Sequence, residues 1–500
     1  MNRIALVSCS LFLFLPFGSK SQSVGIGTPT PHSSAQLDVS STTKGTLITT
    51  MTTSQRKLIS APATGLLVFD IDKKTIYMYD GTRWLPLLFS NTEKNPPAYF
   101  TPSVISVDAN FGYRVDIYGD YAIIGARQGT VVGQNLNTGV AYIYHRTNGV
   151  WEGQDIITAD DGETDDLFGA SVSINESFAI VGAWGDDVGA NGSQGSVYIF
   201  SRDGEVWSQQ SKITATDGAA NDFFGFSVDI STSNTLVIGA YGDNINANID
   251  QGSAYVYQGS AGIGGFIWAL DAKLTASDGA TGDSFGNSVG IYLNNIVVGA
   301  YSDDIGVDTD QGSAYVYYRF TNPGGWTTGQ AHFLKLLSQD GEAFDYFGIS
   351  VDIQQQLIAV GASGDDVDGN AEQGSAHIFV EAMGGGVPDF GPGQRMIAPD
   401  GAPSDNFGIS VTLGAAGSLA VGAYRADDGG GIPNKGAVYV FKRPPFFDLV
   451  PSVFYRKVED ETGQANGYFG YSVSLAGYDL IIGAYGKNST NGQIAFLNIE

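Results

Sequence analysis

Residues 224–240 read FGFSVDISTSNTLVIGA: a Phe-Gly pair opens an alternating stretch, and an apolar run ending in Gly-Ala follows it. The Phe-Gly pair recurs seven times, beginning at Phe111, Phe168, Phe224, Phe285, Phe347, Phe407 and Phe469. Self-similarity at a period of about sixty residues is typical of chains that repeat one supersecondary unit. The repeat therefore determines the architecture before any single strand is assigned.

Most repeats contain the pattern of four strands, and the last contains three. The Phe-Gly stretch and the Gly-Ala run are the first two, a QGSAYVY-type stretch such as 251–257 is the third, and an ITA or LTA segment ending in an Asp-Gly turn is the fourth. Four strands per repeat is typical of a propeller blade. We therefore predict an all-β fold, a seven-bladed β-propeller of four-stranded blades over residues 98–500. Residues 103–107 are predicted to be the N-terminal strand that completes blade seven and closes the ring.

The N-terminus has the pattern of an export signal. Arg3 precedes an apolar stretch over 4–17, and Ser19-Lys20-Ser21 provides a small-x-small cleavage site. A lipoprotein box ending at Cys9 is the alternative, but the apolar run continues past Cys9, where a mature lipoprotein should be polar. We predict a signal peptide over 1–21 and a protein that is secreted or held at the cell surface.

Composition excludes several kinds of partner. The net charge of -27 provides no basic patch for phosphate backbones or anionic lipid, so we expect neither nucleic-acid nor membrane-surface binding. Beyond the signal, no apolar stretch approaches the length of a membrane span. Cys9 is the only cysteine, so the mature chain has no disulfides, and packing or bound ions must stabilise it.

Residues 22–90 lack the Phe-Gly unit. GLLVFDID and TIYMYDG, separated by Lys73-Lys74, predict a hairpin within a small β-rich module, and residues 91–97 read as a linker. The segment beginning VGIGTPTPHSSAQLDVSS resembles a module of secreted Bacteroidetes proteins that is similar to phage tail-fibre collars. That resemblance implies trimerisation, and hence a homo-oligomer that displays several propellers.

Residues 100–500 resemble the FG-GAP repeats of integrin α-subunit heads and of many bacterial secreted proteins. The resemblance implies a β-propeller with a role in adhesion or ligand binding. Integrin heads carry calcium loops in the hairpin between the first two strands of a blade. Here those hairpins, such as STSN at 231–234, are short and poor in acids, so the chain departs from the family pattern.

Oxygen-bearing residues instead recur in the loop between the second and third strands, often at every second position. Alternation could turn several oxygens toward one hard cation, and calcium is the natural candidate. The alternative is that these residues cap tight turns. The candidate ligands are Asp187, Asn191, Asn244, Asn246, Asn248, Asp250, Asp304, Asp308, Asp310, Asp366, Asp368 and Asn370.

Two further sets of residues repeat around the ring. The pattern DGxxxDxFG, as at Asp217 and Asp222, is copied in several repeats, which favours hydrogen bonds to blade-connecting backbone over catalysis. Aromatic residues that follow Gly-Ala predict a binding rim beside the Asp-rich loops, although packing between blades explains them equally well. These are Trp184, Tyr241, Tyr301, Tyr424 and Tyr485.

The sequence therefore predicts a non-catalytic protein that binds a protein or glycan partner. A lectin-like propeller with several carbohydrate sites and a structural part of a surface assembly are the alternatives. An enzyme would need a unique cluster of acids or bases at the central channel, and no such cluster stands out in the sequence. The G-x-S-x-G match at 286–290 lies within a repeated strand and lacks the strand-to-helix turn of a nucleophile elbow.

Overall fold

The computed structural model describes residues 24–26, 37–39, 41, 47–71, 75–79, 81–82, 84–86, 97–102, 109–130, 136–262, 265–319, 325–328, 332–381, 390–391, 393–414, 417–427, 432–442, 453–461, 463–487 and 491–500. The chain divides into two compact units, residues 1–90 and 91–500. The predicted signal peptide lies outside the described residues. Within the described part, no helix is long and apolar enough to cross a membrane.

The N-terminal unit is a small β structure. Its strands are β1 (Val24–Ile26), β2 (Leu37–Val39), β3 (Thr50–Met51), β4 (Leu67–Asp70), β5 (Thr75–Tyr79) and β6 (Trp84–Pro86), with one short helix, α1 (Thr53–Lys57). β4 and β5 form the predicted hairpin. The buried Arg56 of α1 donates to Asp70 at 3.0 Å, which ties the helix to the sheet because each charge compensates the other.

The second unit contains seven four-stranded antiparallel sheets, which confirms the predicted fold class. Blades one to three are β8 (Phe111–Tyr118), β9 (Tyr121–Ala126), β10 (Val140–Thr147), β11 (Val150–Ile157); β12 (Ser171–Ile174), β13 (Phe178–Ala183), β14 (Ser196–Asp203), β15 (Val206–Ile213); and β16 (Ser227–Ile230), β17 (Thr235–Ala240), β18 (Ser253–Gly262), β19 (Gly265–Leu274).

Blades four to six are β20 (Val289–Tyr292), β21 (Asn295–Ala300), β22 (Ser313–Tyr318), β23 (Leu334–Leu336); β24 (Phe347–Gln354), β25 (Leu357–Ala362), β26 (Ser375–Val380), β27 (Gln394–Met396); and β28 (Phe407–Leu413), β29 (Leu419–Ala423), β30 (Ala437–Lys442), β31 (Val453–Glu459). Blade seven is β32 (Ser472–Ala476), β33 (Asp479–Ala484) and β34 (Gln493–Asn498), and its fourth strand is β7 (Ala98–Phe100).

The strand that completes blade seven lies slightly upstream of its predicted position. β7 pairs antiparallel with β34, with Tyr99 opposite Ala495. The predicted segment, 103–107, lies outside the described residues. Blade seven also contacts blade one, because Phe111 bridges to Gly492 and the Val115 amide donates to Ser472 Oγ at 3.1 Å.

The Phe-Gly and Gly-Ala pairs perform the predicted structural role. All seven Phe-Gly phenylalanines are fully buried, and each packs in a core shared by two neighbouring blades, as Phe285 does with Val256 of blade three and Val298 of blade four. Gly225 has a φ of +90° and lies against the backbone of Gly182 in the preceding blade. Glycine is required there because a side chain would meet both the left-handed backbone and its neighbour.

Serines on the innermost strands connect one blade to the next. Ser171 Oγ donates to the carbonyl of Gly225 at 2.7 Å, and Ser227 Oγ donates to that of Gly286 at 2.8 Å. Blades five and six repeat the bond from Ser350 to Gly408 and from Ser410 to Gly470. These bonds satisfy buried carbonyls and hold neighbouring blades together.

Candidate functional site

The first Asp or Asn of each Asp-rich loop caps the turn. Asp187 Oδ1 accepts the amide of Ser193 at 2.7 Å, and Asn244 Oδ1 accepts that of Asp250 at 2.8 Å. Asp304 and Asp366 make the same bond at 2.9 Å. A carboxylate or amide oxygen that accepts an amide six residues ahead closes the loop on itself.

The remaining predicted ligands shape the same loops. The side-chain amides of Asn191, Asn248 and Asn370 donate to a glutamine and to the carbonyl of the next Asp-Gly turn. Asp308 forms a short backbone bridge to Ile305. Residues with a φ between +50° and +60° turn the chain: Asn246, Asp250, Asp310 and Asp368.

Among the described residues, no three His, Cys, Asp or Glu side chains lie together as a metal site requires. The loop contacts match the turn-capping alternative, in which the oxygens accept backbone amides. Calcium binding remains a prediction, because backbone carbonyls and side-chain amides can also supply ligands for this ion.

Acidic residues of the DGxxxDxFG pattern bond to blade-connecting backbone as predicted. Asp222 Oδ2 accepts the Ala219 amide at 2.6 Å, and Asp283 Oδ2 accepts that of Ala280 at 2.6 Å. Burial raises the pKa of both carboxyls to about 6. Asp166, Asp345 and Asp405 make the same contact.

A basic residue on the fourth strand, which the sequence reasoning missed, links two acids in each of four blades. Lys273 lies 2.7 Å from Asp217 of the preceding Asp-Gly turn and 2.7 Å from the buried Asp243 of its own blade. Lys212, Lys335 and Arg395 repeat this arrangement with Asp161 and Asp186, Asp278 and Asp303, and Asp340 and Asp365. These triads join neighbouring blades at the surface.

The five predicted rim aromatics are partly buried and pack beside the Phe-Gly pairs. Tyr241 stacks on Phe223 with ring centres 5.1 Å apart, and Trp184 meets the same ring edge-on at 5.4 Å. Tyr301 lies 6.0 Å from Tyr346, and Tyr424 lies 5.5 Å from Tyr471. Tyr485 packs on Tyr471 at 4.7 Å. Each aromatic therefore supports blade packing and keeps part of its surface exposed.

A cavity of about 200 Å³ lies where the innermost strands of all seven blades meet. Its wall includes the residue five positions after each Phe-Gly phenylalanine in six of the blades. Those residues are Asp116, Ser173, Asp229, Asp352, Thr412 and Ser474. We refer to these six residues as the channel cluster. Its three carboxylates belong to blades one, three and five, so the cluster joins residues that are far apart in sequence.

Hydroxyl groups connect the carboxylates of the channel cluster. Ser474 Oγ donates to Asp116 Oδ1 at 2.7 Å. Ser173 Oγ lies 3.0 Å from Asp116 Oδ2 and 3.2 Å from Asp229 Oδ1. A hydroxyl has one proton, so Ser173 can donate to only one of the two carboxylates. A proton held by Asp229 satisfies the other contact.

The acidities agree with a retained proton. Burial, and then the nearby Asp116, raises the pKa of Asp229 to about 8, and burial raises that of Asp352 to about 6. Among the described residues that line the cavity there is no histidine, cysteine or lysine. The channel cluster therefore combines a carboxyl group that retains a proton with further carboxyl and hydroxyl groups.

We expect Asp229→Asn to stabilise the protein, and more so at high pH. The stability that Asp229 contributes through its raised pKa is fully present below pH 3.8, the ordinary pKa of the carboxyl, and is lost as pH rises through about 8. An asparagine at this position is neutral throughout. The expected gain at pH 8 is about 2 kcal/mol, the order of relieving one desolvated charge. Thermal melts at pH 5 and pH 8 measure it, with the exposed Glu152→Gln as control. Equal gains at both pH values would contradict the retained proton.

The seven four-stranded sheets define a seven-bladed β-propeller. The FG-GAP repeat family matches seven segments, 98–144, 151–200, 207–257, 268–317, 332–379, 392–441 and 456–495, and the chain belongs to this family. Residues 25–96 match the phage tail like trimerisation region. The search of curated proteins finds no match.

Proposed function

We propose that this protein is an exported, non-catalytic binding protein, which presents one end of its propeller to a protein or glycan partner. The observation that carries the proposal is the rim: five blades place a partly exposed aromatic directly after the Gly-Ala strand, next to the Asp-rich loops. Aromatic faces cover apolar surfaces of a ligand, and neighbouring carboxylates and amides accept and donate hydrogen bonds.

The N-terminal unit supports multivalent display. A trimer formed through residues 25–96 would hold three propellers on one particle. Weak binding at each propeller then adds up, since a tethered second site faces an effective concentration in the millimolar range. The predicted export signal would place such a trimer outside the cytoplasm.

Binding by the rim is tested with immobilised glycans and intact cell surfaces. The double variant Tyr241→Ala/Tyr301→Ala should lower binding by about tenfold or more, because aromatic anchors dominate such contacts. Tyr118→Ala is the matched control. Tyr118 is a partly exposed tyrosine at the last position of β8, at the opposite end of this strand from the Phe-Gly pair that begins at Phe111. Equal binding by the wild type and the double variant, with melting temperatures unchanged, would exclude the rim.

A structural part of a surface assembly is the second candidate, favoured by the trimerisation region. Light scattering on the mature chain distinguishes assembly states, and we expect three times the mass of one chain. A monomer would contradict trimeric display. Melting with calcium and with chelator tests calcium, since an ion that binds only the native state raises the midpoint.

A further inference from the structure

Blade one departs from the repeat at two positions. The residue after the Gly-Ala strand is aromatic in five blades and Ser363 in a sixth, but blade one has Arg127. Three positions after the Phe-Gly phenylalanine, six blades have serine, and blade one has Arg114. Such exceptions in a ring of near-identical units are informative because the scaffold itself does not require them.

The two exceptions converge on one place. The guanidinium carbon of Arg127 lies 3.9 Å from the ring centre of Tyr113, and that of Arg114 lies 4.9 Å from the same ring. Arg114 also lies 5.1 Å from the ring of Tyr471, which packs on Tyr485 of the rim. We refer to these five side chains as the arginine–tyrosine cluster: Arg114, Arg127, Tyr113, Tyr471 and Tyr485.

The cations of the cluster differ from the basic residues of the fourth strands. Lys273 and its three equivalents each contact two carboxylates. In the described part of the chain, neither Arg114 nor Arg127 forms an ion pair, and Arg127 Nε is buried without a hydrogen-bond partner. In a protein of net charge -27, two such cations are an unexpected concentration of positive charge.

The surrounding tyrosines respond to this charge. Burial alone would raise the pKa of Tyr471, but Arg114, the Tyr113 hydroxyl and Arg127 bring it below its ordinary value. Tyr113, almost fully buried, has its pKa raised to about 12 by burial. The positive field therefore reaches the channel wall, where Arg114 and Tyr471 both line the cavity.

We propose that the arginine–tyrosine cluster binds the carboxylate of an acidic sugar. A guanidinium offers a planar pair of donors that matches a carboxylate, and partly exposed tyrosines offer faces and hydroxyls to a sugar ring. Two members of the cluster, Arg114 and Tyr471, line the cavity of about 200 Å³, which admits a small group rather than a folded segment. The inference deepens the proposed function and rests on it.

The test compares two sugars that differ at one carbon. Calorimetric titration of the full-length protein with D-glucuronate and with D-glucose should give measurable binding of glucuronate and at least about tenfold weaker binding of glucose, since the carboxylate pairs with arginine. Higher salt should weaken glucuronate binding, because screening reduces the attraction between exposed charges.

Two variants restore the repeat and so should fold. Arg114→Ser places the serine of the other six blades, and Arg127→Tyr places the tyrosine of four of them. Each should lower glucuronate affinity by about tenfold or more. Arg202→Gln is the control, because Arg202 also lies over a tyrosine ring, at 4.5 Å from that of Tyr121, but donates to backbone carbonyls of blade two.

The outcomes separate this inference from the proposed function. Equal affinity for the two sugars, or unchanged glucuronate affinity in both arginine variants, overturns the acidic-sugar assignment while rim binding can still stand. Binding of a polyglutamate peptide without binding of glucuronate would assign the cluster to a protein partner and overturn the sugar assignment. If the rim variant Tyr241→Ala/Tyr301→Ala loses the binding of every ligand, glucuronate included, while both arginine variants keep it, the cluster has no role in binding.

Discussion

Gly239→Ala is expected to prevent the propeller from folding. Gly239 is the penultimate residue of the second strand of blade three, and an added Cβ would lie inside the van der Waals radius of the Gly286 carbonyl oxygen in blade four. Backbone cannot move aside as a side-chain end can, so the two blades would have to separate. Such overpacking against fixed backbone belongs to the rare class that costs about 4–5 kcal/mol or more.

Soluble yield and circular dichroism melts measure the effect. Gly153→Ala is the matched control, because its added Cβ would meet only a ring carbon of Tyr144, at 3.9 Å. We expect the control to melt near the wild type and Gly239→Ala to be insoluble or unfolded. A Gly239→Ala protein that melts within a few degrees of the control would show that the blades are not held at this spacing.

Lys273→Met is expected to destabilise the protein by about 3 kcal/mol, because it leaves Asp243 buried without its cation. Among the described residues, the Asp243 carboxylate would then keep the hydroxyls of Ser253 and Tyr255 as side-chain partners, at 2.5 and 3.1 Å. The double variant Lys273→Met/Asp243→Asn removes the uncompensated charge and should recover most of the loss. Urea unfolding of the wild type, the single variants Lys273→Met and Asp243→Asn, and the double variant completes the double-mutant cycle. Additive effects of the two substitutions would contradict the triad.

The same substitution should alter the acid response. Burial would raise the pKa of Asp217, but Lys273 and Tyr255 hold it below its usual value. The stability that Asp217 contributes is therefore present above its unfolded pKa of about 3.8 and is lost as pH falls through the lower folded value. The difference in the free energy of unfolding between the wild type and Lys273→Met should therefore become smaller below about pH 4.

The parts of the fold that repeat could be read from the sequence. Phe-Gly and Gly-Ala recur at a fixed period, and Phe285 and Gly225 occupy the predicted close contacts between blades. Residues 103–107 are predicted as the closing strand because they form a β-like segment just before the first Phe-Gly pair, but Ala98–Phe100 makes the pairing with β34. Short β-like segments that lie next to each other cannot be distinguished by residue type alone, because the pairing with β34 forms only in the folded blade.

The candidate sites were harder to predict because they depend on contacts across blades. Asp116 and Asp229 are separated by two repeats, and only the ring brings both to Ser173. Lys273 looks like an ordinary solvent-facing strand residue until blade packing places it between Asp217 and Asp243. Arg114 and Arg127 carried a signal that repeat alignment could have found, since both break a pattern that the other blades keep.

The most direct test of a binding rim is a footprint of the ligand on the full-length protein. Amide hydrogen exchange is measured with and without the glycan that the protein retains most strongly. We predict protection around residues 184, 241, 301, 424 and 485, which directly follow the Gly-Ala strands. Protection confined to the outer strands, such as Val150–Ile157 and Val206–Ile213, would contradict it.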